Sequence, residues 1–102
     1  MGSSGFQKRV LKLCSRVPKG RVTTYKIIAN KVNVPGGARA VGQALHNNPK
    51  LVKIPCHRVV RSDGSIGGYR CGKTKKMKLL ASEGVKVCKG RVEDFNKLIY
   101  KF

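Results

Sequence analysis

Turn-forming residues cut this chain into short pieces, and that limits what it can fold into. Pro18-Lys19-Gly20, the segment Asn33 to Gly37 with Pro35 and two glycines, and Ser62-Asp63-Gly64-Ser65 each interrupt an apolar pattern. Proline removes a backbone donor and glycine tolerates a left-handed backbone, so such sites end regular elements. Between them the apolar residues recur at helical spacing. Phe6, Val10, Leu11, Cys14 and Val17 predict a helix over residues 6 to 17. Thr23 or Thr24 can cap a second helix, in which Tyr25, Ile28, Ala29 and Val32 follow the i, i+3, i+4, i+7 pattern. A third helix is predicted from about Ala38 to Asn47.

After Asn48-Pro49 the apolar run containing Cys56 leads into a predicted strand through Val60, followed by the Ser62–Ser65 turn and Ile66-Gly67-Gly68-Tyr69. Met77, Leu80 and Ala81 form the stripe of a later helix that stops at Gly84. Val92, Phe95, Leu98, Ile99 and Phe102 predict a closing helix over residues 91 to 102. Two short helices across a Gly-containing turn suggest helix-turn-helix. The expected fold is mainly α with a short β-hairpin, a winged-helix-like helix-turn-helix domain over residues 6 to 90. Residues 1 to 5 read as a flexible N-terminus, and 91 to 102 as an extension packing on the domain.

The 102 residues allow one small domain, and 40% hydrophobic content suits a folded chain. No apolar run approaches the roughly 20 residues of a membrane span, and the first residues lack a signal peptide's apolar stretch. The chain is therefore expected inside the cell. Cys14, Cys56, Cys71 and Cys88 show no metal-knuckle spacing, and neither His46 nor His57 adds a paired ligand motif, so no metal is expected. Charge is the second signal. Twenty-three Lys and Arg face four Asp and Glu, for a net +19. Heat adaptation usually adds both signs, and membrane attachment wants an amphipathic helix with exposed large apolar residues, so nucleic acid is the expected partner. The third helix fits that partner. Ala38, Val41 and Leu45 form its inner stripe, while Ala40, Gln43, Ala44 and Asn47 make a small, uncharged outer face that can approach a groove closely.

Chemistry points to Ile54-Pro55-Cys56-His57-Arg58-Val59-Val60. A cysteine attacks as its thiolate, and an adjacent imidazole and a cationic surround both raise the ionised fraction. A buried core cysteine is the competing reading, because free cysteines are among the most buried residues.

That heptapeptide matches the active-site signature of the O6-alkylguanine-DNA alkyltransferases. Thr24-Tyr25, Ala38-Arg39-Ala40-Val41-Gly42, Asn48-Pro49, Gly67-Gly68-Tyr69 and Leu79 to Gly84 resemble the same family in its order and close to its spacing. The resemblance covers roughly residues 6 to 88 and implies transfer of an alkyl group from O6 of guanine, with O4 of thymine as a further candidate, to Cys56. Each molecule would act once, as a suicidal methylated-DNA–protein-cysteine methyltransferase without a cofactor. The implied proton relay runs from Glu83 through His57 and a water to Cys56; Lys76 or Lys86 is an alternative partner for Glu83. The third helix would enter the minor groove, with Ala40, Gln43, Ala44, Asn47, Thr24 and Tyr25 at the DNA. Arg39 would fill the stack vacated by a flipped base. Tyr25 would turn the nucleotide's phosphate and donate to guanine N3. Asn48 would be the hinge after the recognition helix, and Leu45, Val59, Tyr69 and the backbone of Arg70 would border the guanine pocket. A monomer acting on double-stranded DNA in the cytoplasm or nucleoid, or in a eukaryotic nucleus, is expected.

Family members usually carry a domain of comparable size ahead of this region, which these residues lack. Two other readings compete. One is an alkyltransferase-like protein that binds alkylated guanine and recruits repair factors; such relatives are similarly short but generally replace the cysteine. The other is an architectural protein acting by charge alone, which leaves Pro55-Cys56-His57-Arg58 unexplained.

Overall fold

The structure, a computed structural model, describes residues 5–34, 36–47, 54–69 and 71–102. Three helices, α1 (Gly5–Arg16), α2 (Tyr25–Lys31) and α3 (Ala38–His46), each pack on the other two. Their shared core holds Val10, Cys14, Ile28, Val41 and Leu45, joined by Cys56 and Val59. Thr24 is the residue that caps α2: its hydroxyl accepts from the Ile27 amide at 3.0 Å. With the turn between α2 and α3, this is the helix-turn-helix unit the sequence predicts.

The apolar run around Cys56 leads into a strand ending at Val60, as expected, but through a tight turn. Only β2 (Val59–Val60) is strand; Cys56–Arg58 is a turn of 3-10 helix. Pro55, at φ −80° and ψ 65°, is the centre of an inverse γ-turn closed by the Cys56 amide on the Ile54 carbonyl at 2.8 Å. Its own carbonyl then accepts from Arg58 at 2.9 Å. Proline's fixed φ and missing donor suit this double turn and not a strand interior.

β2 pairs in parallel with β1 (Thr23–Thr24), Thr23 opposite Val59 and Thr24 opposite Val60. Successive strand residues face opposite sides, so Val59 enters the helical core while Val60 joins a second cluster of Val22, Ile66, Leu80, Val85 and Val92. That cluster lies under α4 (Lys73–Ser82) and an antiparallel hairpin, β3 (Val87–Cys88) and β4 (Arg91–Val92). The hairpin turns through Lys89 and Gly90, both at positive φ, the geometry of a two-residue loop whose twist matches its strands. It falls later than the Ser62–Ser65 turn suggested. On α4 the inward residues are Lys76 and Leu80, whereas Met77 is 38% exposed and Ala81 is exposed.

The predicted closing helix shrinks to α5 (Phe95–Leu98). The chain then extends beside Val22: the Val22 amide donates to Leu98 O at 3.0 Å and Tyr100 N donates to Val22 O at 2.6 Å. Arg21 donates to the Leu98 and Ile99 carbonyls, and the Thr23 hydroxyl to Tyr100 O. The tail thus adds a strand-like edge directly ahead of β1. Removing residues 99–102 deletes several of these bonds, each contributing about 1 kcal/mol. Chemical denaturation should show a loss of about 3 kcal/mol, with α-helical circular dichroism retained at low denaturant.

Candidate active site

Cys56 lies on the wall of a cavity of about 360 Å³ lined by Tyr25, Gly42, Leu45, His46, Gly68 and Tyr69. That volume is at the lower end for small-molecule sites. The β1–β2 pair brings its two sides together. Tyr25 follows β1 directly, and Cys56 precedes β2 by one short turn. Gly67, at φ +70°, supplies the left-handed backbone that leads into Gly68 on the cavity wall.

Behind Cys56 is a fixed ionic cluster. Glu83 sits at the C-cap of α4, where Gly84 reverses the chain at φ +86°. Its carboxylate accepts from Arg58 Nε at 2.9 Å and from the Arg58 terminal nitrogen at 2.6 Å, a two-pronged pair. The same carboxylate meets His57 Nε2 at 3.0 Å. Arg58 also donates to the Val17 carbonyl at 2.7 Å, tying the turn to the end of α1. Burial alone would raise the Glu83 carboxyl, but hydrogen bonds from Arg58 and His57, with their charges, hold it below its ordinary value. Burial lowers His57, partly offset by Glu83 and reinforced by Arg58 and Lys76. The imidazole is thus neutral near pH 7, with its Nε2 proton directed at Glu83. That leaves Nδ1 as the basic nitrogen, and it is buried without a hydrogen-bond partner among the described residues.

Two phenols flank the site. Burial and the neighbouring Cys56 raise Tyr25, and the same causes push Tyr69 up to about 12, so both are donors at neutral pH. Tyr69 meets the His57 ring edge-on, with centroids 6.5 Å apart. Burial, then Cys56, raises the Cys14 thiol well above the ordinary range, so Cys14 remains a thiol in the core. No cluster of three metal-ligating side chains and no helix long and apolar enough to cross a membrane occurs among the described residues.

The cavity opens onto a wider groove of about 540 Å³ bordered by Ala38, Arg39, Gln43, His46 and Arg61. Arg39, Ala40, Gln43 and Asn47 are exposed on the outer face of α3. Ala44 is not: it is 8% exposed, and its carbonyl accepts from Gln7 at 3.3 Å, because α1 crosses that end of α3. Thr24 is likewise buried, its hydroxyl committed to the α2 cap. Leu45 reaches the cavity, whereas the fully buried Val59 sits in the core behind it. Asn48 and Arg70 lie outside the described residues. Sequence reasoning missed His46, Arg61 and Gly42 at the cavity and groove, and Lys76 beneath them. The signal for Lys76 was its i, i+4, i+7 spacing with Leu80 and Glu83, all on the inward face of α4.

The pattern of the family described as 6-O-methylguanine DNA methyltransferase, DNA binding domain, matches residues 5–85. The chain belongs to this family. It is 49% identical over 82 residues to a methylated-DNA–protein-cysteine methyltransferase of Saccharolobus islandicus, covering 80% of this chain and 52% of the relative. Over 84 residues it is 44% identical to one of Methanothermobacter thermautotrophicus, covering 82% and 47%. The chain therefore spans about half the length of these relatives. Among solved structures, Mycobacterium tuberculosis OGT in complex with DNA superposes with a TM-score of 0.76 at 41% identity, covering 78% of this chain and 50% of that one. S. pombe Atl1, bound to damaged DNA containing O6-carboxymethylguanine, gives 0.82 at 31% identity and covers 95% of both chains.

Glu83→Gln should expose what the ionic cluster contributes. Leaving Arg58 without its charge partner should cost about 3 kcal/mol. The folded carboxyl ionises below its unfolded value, so its stabilisation is complete above that value, 4.5, and disappears as pH falls through the folded one. Melting temperature should therefore drop steeply for the unaltered protein on acidification below about pH 5, and less steeply for Glu83→Gln.

Proposed function

We propose that this protein repairs O6-alkylguanine in double-stranded DNA by moving the alkyl group irreversibly onto Cys56. The observation that carries the reading is Cys56 on a base-sized cavity with the His57–Glu83 pair directly behind it. In the proposed step the Cys56 proton passes to His57 Nδ1, directly or through a water, and the imidazolium is stabilised by Glu83. The sulfur lone pair then forms the S–C bond. The C–O6 bond breaks with its electrons moving onto the purine, a hydrogen bond from the Tyr25 hydroxyl to N3 stabilises the departing guanine anion, and that anion finally takes up the proton held on His57. The product is a thioether, so one molecule acts once.

The target carbon is inaccessible in stacked DNA, so the base must leave the helix. The open groove along α3 supports an approach to the duplex through that helix, with Arg39 at its rim as the residue that fills the vacated stack. The net charge of +19 supplies the attraction to phosphate. Lesion binding without transfer is the second reading, favoured by the near-complete overlap with S. pombe Atl1. The cysteine separates the two.

Incubation with an O6-methylguanine duplex should add one methyl group to the peptide containing Cys56, read by mass spectrometry, and Cys56→Ser should abolish it. Tight binding with no mass change would select the lesion-binding reading; methylation of Cys14, Cys71 or Cys88 would overturn the assignment of Cys56. Arg39→Ala should slow repair of the duplex by about two orders of magnitude, equivalent to about 3 kcal/mol, yet leave reaction with free O6-benzylguanine nearly unchanged. Equal losses on both substrates would move Arg39 from base flipping to support of the fold.

A further inference from the structure

Four cations meet on the side of the helical bundle turned away from α3. Arg9, Lys12 and Arg16 of α1 and Lys31 of α2 line a groove of about 260 Å³ together with Leu13 and Val32. The four charged residues are exposed, while Leu13 and Val32 are buried. On the other side of α1, Gln7 meets α3, where it donates to the Ala44 carbonyl. At 3.6 residues per turn, Arg9, Lys12 and Arg16 stand roughly 140–200° round the helix from Gln7. Their groove is therefore distinct from the one bordered by Arg39, Gln43 and Arg61.

Like charges at i, i+3 and i, i+4 cost a helix stability, and a carboxylate among them would reverse the sign. The sequence supplies none: no Asp or Glu precedes Asp63. Among the described residues no ion pair involves any of the four cations. Two of them are nevertheless held in place. Arg9 donates to the Val32 carbonyl, and the Arg16 guanidinium lies 5.6 Å from the centre of the Phe102 ring. A carbonyl and an aromatic face orient a guanidinium without cancelling its charge. Phe102 belongs to the tail, beyond the residues 5–85 that the family pattern matches, and it packs against the helical core. The tail thus ends by orienting a cation and leaves its charge available.

We infer that the α1–α2 groove is a second phosphate-binding face, which takes the backbone of a second DNA duplex while α3 holds the first. From Arg9 to Arg16 the helix rises about 10 Å, the axial distance covered by about three phosphates of one strand, and Lys31 adds a cation from α2. The inference rests on the proposed approach of the first duplex through α3. It goes beyond that reading in letting one molecule hold two duplex segments together, with or without a lesion.

Native mass spectrometry of the full chain with short undamaged duplexes tests this directly. One protein should carry two duplexes. In Lys12→Glu/Lys31→Glu that species should fall at least tenfold while the one-to-one complex persists. The first substitution puts a carboxylate between Arg9 and Arg16, so the variant should melt no lower than the unaltered protein. Lys75→Glu/Lys78→Glu, at exposed positions of α4, changes the net charge equally and should keep the two-duplex species. Equal loss in both variants would show net charge alone at work and overturn the inference. Two-duplex complexes that always contain two proteins would overturn it as well. Affinity for the second duplex should fall by about three log units per log unit of salt, and a slope near zero would count against phosphate as the ligand. Displacement of the second duplex by poly-glutamate at equal or lower concentration of charge would make the occupant an acidic protein and not DNA. The duplexes carry no lesion and the readout is not transfer, so failure of alkyl transfer to Cys56 and failure of this face are separate results.

Discussion

A single buried carboxylate holds the reactive turn in place. Glu83 accepts two bonds from Arg58 and meets His57, and Arg58 reaches on to the Val17 carbonyl. The C-cap of α4, the Cys56–Arg58 turn and the end of α1 are thus joined through one ion pair. This arrangement requires the 3-10 turn. In a strand, neighbouring side chains point to opposite faces, so His57 and Arg58 could not share a carboxylate. In a 3-10 turn they are about 120° apart and can converge on one group. The same turn leaves Cys56 directed at the cavity. Truncating Glu83 would therefore disturb geometry as well as charge, which is why its stability and its effect on transfer have to be measured separately.

The parallel pair β1–β2 does the corresponding work for the helix-turn-helix side. It is two residues long on each strand, yet it connects the start of the helix-turn-helix unit to the reactive turn. Thr24 pairs with Val60 and caps α2, so the position of Tyr25 relative to Cys56 is set by backbone bonds, not by a flexible linker. The tail extends this edge: Ile99 and Tyr100 flank Val22 immediately before β1. A segment remote in sequence thereby stiffens the strand from which α2 starts.

The helices were legible because their signals are local. Apolar periodicity marked α1, α2 and α3, Thr24 announced a cap, and Gly84 announced a stop. The Cys56 signature was legible as chemistry. What escaped was set by tertiary contacts. The apolar run from Ile54 reads equally as strand, and only the pairing of Arg58 with Glu83 and the turn at Pro55 decide against it. Ala44 sits on the outer face of an isolated α3, but α1 covers it. The tail has the periodicity of a helix, but the open edge at Val22 offers its backbone better partners. Lys76 was hidden by the expectation that lysine faces water; Met77 beside it is more apolar, but the carbonyls of Val59, Ile66 and Gly68 need a donor that methionine lacks.

The scarcity of acids has an internal consequence as well as an external one. Asp63 is spent on its own turn, where it accepts from the Ser65 amide and hydroxyl. Glu93 and Asp94 are exposed, and Asp94 precedes α5 with a left-handed backbone. Glu83 alone is drawn into the site, where the Arg58 guanidinium and the neutral His57 imidazole share it, while Lys76 goes without a carboxylate among the described residues. Around Cys56 the charges are therefore those of Arg58, Arg61 and Lys76 against Glu83, an excess of positive charge, with Arg61 exposed and Arg58 and Lys76 drawn in from water. Such a field favours any negative charge that can form there. In the proposed transfer that charge is first the thiolate and then spreads onto the departing purine. On that proposal an electropositive site stabilises the nucleophile and the leaving group in turn, and the same excess, carried to the surface, would attract the phosphates of the duplex that delivers the base.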